Sequence, residues 1–449
     1  MRQSERLFSI VLLIAAVGCE REISTATPDV ELPALAKASA PTLVTETTWG
    51  GAATDATDAV AVASDGSSYL VGFTESFDFE PKLFTVKFNP DGSLAWQRTW
   101  NAPQQFVRDE GRDVAVAPDG SVYVTGLTFV DGNRALVLKY SPDGTLIWQR
   151  VFGGNAHGDA VTVGADGSVY VTGALRDPSD SEDLFVIKLS PDGTQQWFKR
   201  WGADGVFEAG QGIAVGPDGN LYVAGVAPRA GADPFLGQFD AMVLKLDPSG
   251  NVLWQRAFAG GDVADARGGI DVGADGAVYV GGGFQGPSGS GFTNEALLMR
   301  LTSDGDLVWA RQWENGFAEA VAVAPDGQVV FAGTVSDADG DDAFVLRLAP
   351  GGKTTSANRW GGSSFDAGQG IAVAPDGTIS LGASASAPPY ALGDARGRTS
   401  RARLTVSTPA TPLVDAAGIV VDPAGVAETP NGTTTYAGGF DAALVRIRP

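Results

Sequence analysis

Apolar residues in this chain come in runs of five to seven, the runs are divided by Asp-Gly pairs, and they recur in a fixed order. The unit is clearest around Ala115 to Trp148, where VAVAPDGSVYVTG is followed by ALVLKYSPDG and TLIWQR. An Asp-Gly pair between short apolar runs predicts a β-hairpin. The first such turn recurs at Asp65-Gly66, Asp119-Gly120, Asp166-Gly167, Asp218-Gly219, Asp275-Gly276, Asp326-Gly327 and Asp376-Gly377, with a weaker copy at Ala424-Gly425. A second recurs at Asp91-Gly92, Asp143-Gly144, Asp192-Gly193, Ser249-Gly250, Asp304-Gly305 and Gly351-Gly352. No copy carries a helical period, so the chain reads as all-β.

Each copy supplies four strands, and a four-stranded unit repeating about every 50 residues predicts the blades of a β-propeller. Blades are wedges, crowded at the axis and open at the rim. The first strand, rich in Ala, Val and Gly, therefore belongs inside, and the fourth, which carries all ten tryptophans, belongs outside. Where two tryptophans share a copy, as Trp96 and Trp100 do, they stand four apart and face the same way. That pattern predicts packing between blades, with an aromatic-seeking ligand as the lesser alternative.

The chain opens its repeats with a lone fourth strand, Leu43 to Trp49, and ends on a lone third strand, Ala442 to Ile447. The two are expected to pair and close the ring, leaving no open edge. The blade count is expected to be eight, or seven if the last two copies merge. The pattern fades after Ser386, so the segment from Ala402 to Ser407 has to serve as a strand of the seventh copy, and the eighth runs from Gly418 to Ile447.

Residues 1–18 read as a lipoprotein signal peptide, 19–42 as a lipidated Cys and flexible tether, and 43–449 as the propeller. Arg2 and Arg6 precede an apolar stretch, Leu7 to Ala16, that is too short to span a bilayer. Ala16-Val17-Gly18-Cys19 resembles the bacterial lipobox, with Cys19, the only cysteine, as the acylated residue. By the same resemblance, Glu20 directs the protein to the outer membrane or cell surface. With one Cys no intrachain disulfide forms, so packing must stabilise the domain. A net charge of −22 offers no basic surface for nucleic acid and disfavours docking on anionic lipid. Membrane attachment is thus expected through the lipid alone, with the domain monomeric.

The motifs Trp360-Gly361-Gly362, Gly370 to Gly377 (GIAVAPDG) and Gly72 to Phe79 (GFTESFDF) resemble the bacterial SBBP-type β-propeller repeat proteins, and the resemblance covers most of the chain. It implies a surface or secreted protein and no general catalytic motif. The candidate chemistry is sparse. The lone histidine, His157, is expected in an exposed loop, and the inventory of His and Cys excludes a zinc site of the usual kind. No nucleophile elbow or phosphate-binding loop is present. Asp247 to Trp254 (DPSGNVLW) resembles a quinoprotein outer-strand pattern, one residue short.

A polar ring recurs two residues before the first Val or Ile of each inner strand: Asp58, Arg112, Asp159, Gln211, Glu319 and Gln369, with Gly268 and Ala417 in the remaining copies. It predicts either a ligand or cation site at one mouth of the channel or plain strand-entry chemistry. Three residues earlier stand Asp55, Asp109, Glu208, Asp265 and Asp366, which are expected to bind loop amides. A possible weak calcium loop is formed by Asp337, Asp339 and Asp341, although Asp342 occupies the position that needs Gly. No other cofactor is expected. The reading that results is a non-enzymatic envelope lipoprotein that binds an unknown protein or polymer, through variable loops such as 74–82, 176–183, 228–239 and 284–294. The alternative is an enzyme on the same scaffold, a quinoprotein-like oxidoreductase or a carbohydrate-active enzyme.

Overall fold

The computed structural model describes residues 41–449 except 78–80, 103–107, 177–180, 230–237, 261–262, 287–292, 338–339, 396–398, 416–425, 429–439 and the single positions 131, 204, 315, 387, 403, 410 and 412. The described residues form strands and turns only, in seven antiparallel sheets. Blade 1 is made of Asp55–Val62, Ser68–Thr74, Lys82–Phe88 and Leu94–Asn101, and each blade up to the sixth follows the same order. The inner strands of blades 2 to 6 begin at Glu110, Ala156, Ala209, Val263 and Gly316. In blade 5 the inner strand is broken into Val263–Ala264 and Ile270–Val272.

The Asp-Gly pairs close the hairpins in one recurring way. In the first turn of blade 1, Gly66 N donates to Ala63 O at 2.9 Å, Ala63 N donates to Ser67 O at 2.8 Å, and Asp65 Oδ1 accepts Ser67 N at 2.8 Å. Gly66 has φ 83°, whereas Asn155 is the only non-glycine with positive φ among the described residues. The Asp therefore sits in a type I turn and the Gly takes the left-handed position after it, which is the three-residue hairpin loop rather than the two-residue one.

The ring has seven blades, the alternative expected if the last two copies merge, rather than the favoured eight. Blade 7 takes Ala367–Val373 and Ile379–Ala385 from the seventh copy, Asp441–Arg448 from the C-terminus and Thr42–Trp49 from the N-terminus. The expected closure is present: Trp49 pairs with Ala442 and Leu43 with Ile447. What read as the rest of copies seven and eight is instead a segment that travels backwards around the ring. Ala391–Asp394 pairs with the outer strand of blade 6, Thr399–Arg401 with blade 5, Thr405–Ser407 with blade 4, Leu413–Asp415 with blade 3 and Val426–Glu428 with blade 1. The segment lacks runs long enough for two- or three-strand meanders of its own, and it satisfies its backbone by adding short fifth strands to edges that already exist. Thr405–Ser407 is thus part of this belt, so the segment expected to serve as a strand of the seventh copy does not do so. Ala417 and Ala424-Gly425 lie outside the described residues, as do residues 1–40 with Cys19.

There is no single core. Among the described residues eight apolar clusters each lie between two neighbouring blades, two of them between blades 3 and 4. Leu83, Trp100, Val124 and Leu138 join blades 1 and 2, and Trp49, Phe84 and Leu444 join blades 7 and 1. The belt adds Ala402, Leu404 and Val406 to the cluster between blades 4 and 5.

The tryptophans pack between blades as expected. Trp96, Trp148, Trp197, Trp254 and Trp309 each donate their indole N–H to a backbone carbonyl in the third-to-fourth turn of the next blade, at 2.8–3.2 Å. Each ring lies over the glycine of that turn; a Cβ on Gly305 would stand 3.0 Å from the Trp254 ring. A second tier lies deeper. Trp49 donates to Gln97, Trp100 to Gln149 and Trp201 to Gln255, at 2.6–2.9 Å.

Candidate functional site

Because the first strands ring the axis, residues on their channel-facing side converge. All seven inner strands line one cavity of about 530 Å³, and Asp58, Arg112, Asp159, Gln211, Glu319 and Gln369 all reach it. Gly268 lines it as well, at the break in the blade 5 strand. Residues that the spacing did not single out join them: Glu110, Asp113, His157, Glu182, Phe207 and Arg267. Two of these carried a signal. Glu110 precedes Arg112 by two residues and His157 precedes Asp159 by two, and a strand places such pairs on the same face. Arg267 carried none, since it enters only because the strand breaks at Gly268-Gly269.

His157 is therefore not in an exposed loop. It lies on the inner strand Ala156–Val163 and belongs to an ionic cluster across blades 2 and 3. Arg112 Nη1 donates to Asp159 Oδ1 at 2.5 Å, His157 Nδ1 stands 3.0 Å from Asp159, and His157 Nε2 is 3.7 Å from Glu182. Burial pulls the imidazole down, but the Asp159 hydrogen bond and charge outweigh it and raise its pKa to about 9. Asp159 is held low: burial opposes its charge, and the His157 and Arg112 contacts prevail. This half of the cavity is electrostatically self-paired.

Glu110 also pairs, with Arg108 at 3.0 Å, but three further carboxylates are pushed upward. Asp58 is pushed well above the ordinary range, first by burial and then by the neighbouring Glu110, with Arg112 and Arg108 opposing. Burial also raises Glu319, with Arg267 opposing. Asp113 rises to about 7 by burial even though it accepts the backbone N–H groups of Val114 and Val161, both at 2.8 Å, and so ties blade 2 to blade 3. Asp58 Oδ2 and Gln211 Oε1 are buried atoms with no hydrogen-bond partner among the described residues.

The acids three residues before the ring hold loops. Asp55 accepts Gly51 N at 2.8 Å, Asp109 accepts Ala102 N at 2.8 Å, Asp265 accepts Gly283 N at 2.7 Å and Asp366 accepts Gly362 N at 2.6 Å. Asp55, Asp109 and Asp366 thereby satisfy amides where the chain leaves one blade and enters the next, whereas Asp265 binds within its own blade, at the break in its inner strand. The acidic hairpin of blade 6, its second-to-third connection, contributes no residue to the lining of the axial cavity. Asp337 pairs with Gly340 and Ser336 with Asp341, Asp339 lies outside the described residues, and buried Asp342 is bound to Arg359 at 3.2 Å. No group of three or more metal-ligating side chains is found among the described residues. In Asp247 to Trp254, the Asp side chain accepts Ser249 N and Asn251 N within its own turn and the Trp reaches Ser303 O, so the pattern does structural work. The loops expected to vary fall largely outside the described residues.

Fold and cavity together define a closed seven-bladed β-propeller with an asymmetric, predominantly acidic axial chamber. Over residues 84–231 the sequence matches the family model described as outer membrane protein assembly factor BamB, which is 148 of 449 residues. No curated relative matches the sequence. Among solved structures, a puromycin hydrolase mutant is similar at 15% identity and TM-score 0.48, covering 79% of this chain and 55% of the hydrolase. The polysaccharide lyase Uly1 is similar at 11% identity and TM-score 0.45, covering 80% of this chain and 91% of the lyase. A glucose dehydrogenase is similar at 14% identity and TM-score 0.35, covering 63% and 95%. At these identities and scores the likenesses transfer no activity.

Proposed function

We propose that the protein is a lipid-anchored binding module of the bacterial envelope, tethered to the outer membrane through Cys19 and presenting one face of its propeller to another protein or an envelope polymer. The observation that carries this reading is geometric. Inner strands begin, second strands end and third strands begin on the same side of the ring, so the second-to-third connections leave from and return to that one side. The ring beneath them is closed by both termini and laced by the belt, a rigid base for variable loops. The partial match to an outer-membrane assembly factor supports an envelope setting.

Two measurements test it. Cys19→Ser should move the protein from the membrane to the soluble fraction, and unchanged fractionation removes the anchor. Cross-linking in intact envelopes should join the partner to residues around the cavity mouth. Cross-links confined to the opposite face, or turnover of any compound in an oxidation and hydrolysis panel, would overturn the binding-module reading.

A further inference from the structure

We infer that the axial cavity binds a small linear organic amine, a molecule with two or more ammonium groups. This goes beyond the envelope reading and does not depend on it. The two sides of the cavity differ in what they still need. On blades 2 and 3, Arg112 and Asp159 already neutralise each other at 2.5 Å. Flanking them, Asp58 on blade 1 and Gln211 on blade 4 bring the buried oxygens Asp58 Oδ2 and Gln211 Oε1 to the chamber without any donor among the described residues. Glu319 on blade 6 adds a second carboxylate and Gln369 on blade 7 a second amide.

A buried acceptor left without a donor is costly, more so when it is charged, so the site is built for a ligand rich in donors. An ammonium group offers three donors and no acceptor, and a charged hydrogen bond to a carboxylate is among the strongest available. The charge balance agrees, because carboxylates outnumber the guanidinium and imidazole groups lining the cavity by two to one. The acceptors are spread over four blades, whereas a small metal ion needs oxygens gathered at one point. A flexible chain with separated ammonium groups can reach them in turn, and a volume of about 530 Å³ suits such a molecule.

The test is isothermal titration of the purified full chain at about 150 mM salt, where diffuse attraction is screened, with spermidine, putrescine, magnesium chloride and glucose as probes. The expected result is saturable binding of one spermidine, weaker putrescine and no competition from magnesium. Asp58→Asn should weaken spermidine by about tenfold and Glu319→Gln by several-fold, while Asp341→Asn on the outer hairpin changes nothing. Gln211→Glu should tighten binding, which guards against a variant that merely unfolds. The inference is overturned if Asp58→Asn and Glu319→Gln leave spermidine binding unchanged, if magnesium competes equally well, or if glucose alone binds. Fractionation of Cys19→Ser is a separate readout, so failure of the anchor and failure of the amine site are distinguishable.

Discussion

The five interfaces from blade 1 through blade 6 and the two that close the ring through blade 7 have different builds. At the five, an indole from one blade covers the turn glycine of the next and donates to a turn carbonyl. At the two, the equivalent positions are Ser356 and Thr45. Closure relies instead on polar contacts: Trp360 donates to Glu46 at 2.9 Å, Thr47 to Gly92 O at 3.3 Å, and Arg446 to Pro90 O. Neighbours within the chain can depend on a repeated packing device. The joint between chain ends, assembled from three distant pieces, keeps the deeper contact of Trp49 with Gln97 but has polar side chains where the outer indole stands elsewhere.

The largest predicted effect breaks the joint outright. Deleting residues 42–49 removes Trp49, which is 3% exposed, and uncovers the edge of Asp441–Arg448. We expect loss of the single cooperative melt and aggregation through the open edge, seen by calorimetry and light scattering. An unchanged transition would mean that blade 7 contributes little to the ring. Next in size, Trp148→Ala at a locked interface should cost about 3 kcal/mol in chemical denaturation, through the cavity and the lost bond to Pro191 O. Ser356→Ala at the unlocked counterpart should stay within about 0.5 kcal/mol.

Much of this architecture was legible in the sequence, and the reason lies in range. The Asp-Gly turns, the small inner strands and the paired tryptophans are local patterns that follow from hairpin geometry and wedge shape. The blade count was not legible. The belt binds through three- or four-residue backbone pairings such as Thr405-Val406-Ser407 against Ala257-Phe258-Ala259, which ask almost nothing of side-chain pattern. The axial ring could be read because every copy marks the same strand position. The pairing of Arg112 with Asp159 could not, since it joins residues of neighbouring blades and depends on how closely the inner strands pack. His157 was misplaced because the residues before Asp159 resemble a loop, although the strand extends to Ala156.

Turn glycines separate the indole-covered third-to-fourth turns from uncovered first turns at smaller energies. Gly305 and Gly377 have nearly the same backbone, φ 83° and 84°, but only Gly305 lies beneath an indole, whereas a Cβ on Gly377 would meet nothing within 4 Å. Gly377→Ala should therefore cost only the left-handed penalty of about 1 kcal/mol, and Gly305→Ala about 2–3 kcal/mol, measured by denaturant titration. Equal losses would show that the Trp254 contact is slack.

At the joint between blades 7 and 1, Asp441 is raised to about 6, by burial first and then by the facing Asp55. A raised carboxylate favours folding at low pH: below the unfolded value near 3.8 both states are protonated, and stability falls as pH rises from there through about 6. Asp441→Asn should remove that fall, leaving stability equal to the parent near pH 4 and greater by roughly 2 kcal/mol at pH 7. A parallel pH profile in the variant would place the repulsion elsewhere.

The subtlest prediction installs the missing device. Thr45 occupies the slot that indoles fill elsewhere; it lies 3.2 Å from where a Cβ on Gly92 would stand, and its Oγ1 is buried without a partner. Thr45→Trp would replace that unsatisfied hydroxyl with a ring over Gly92 and direct its N–H at Pro90 O. Arg446 already donates to that carbonyl, but sharing is the rule at the other interfaces: Lys139 and Trp148 both donate to Pro191 O at 3.0 Å, and a carbonyl has two lone pairs. The variant should gain about 1 kcal/mol and melt about 1–2 °C higher. Adding Arg446→Ala should leave most of that gain in place if the indole is the stabilising element. If Thr45→Trp instead lowers the melting temperature, the joint is shaped for its polar contacts and differs from the other interfaces by more than one absent side chain.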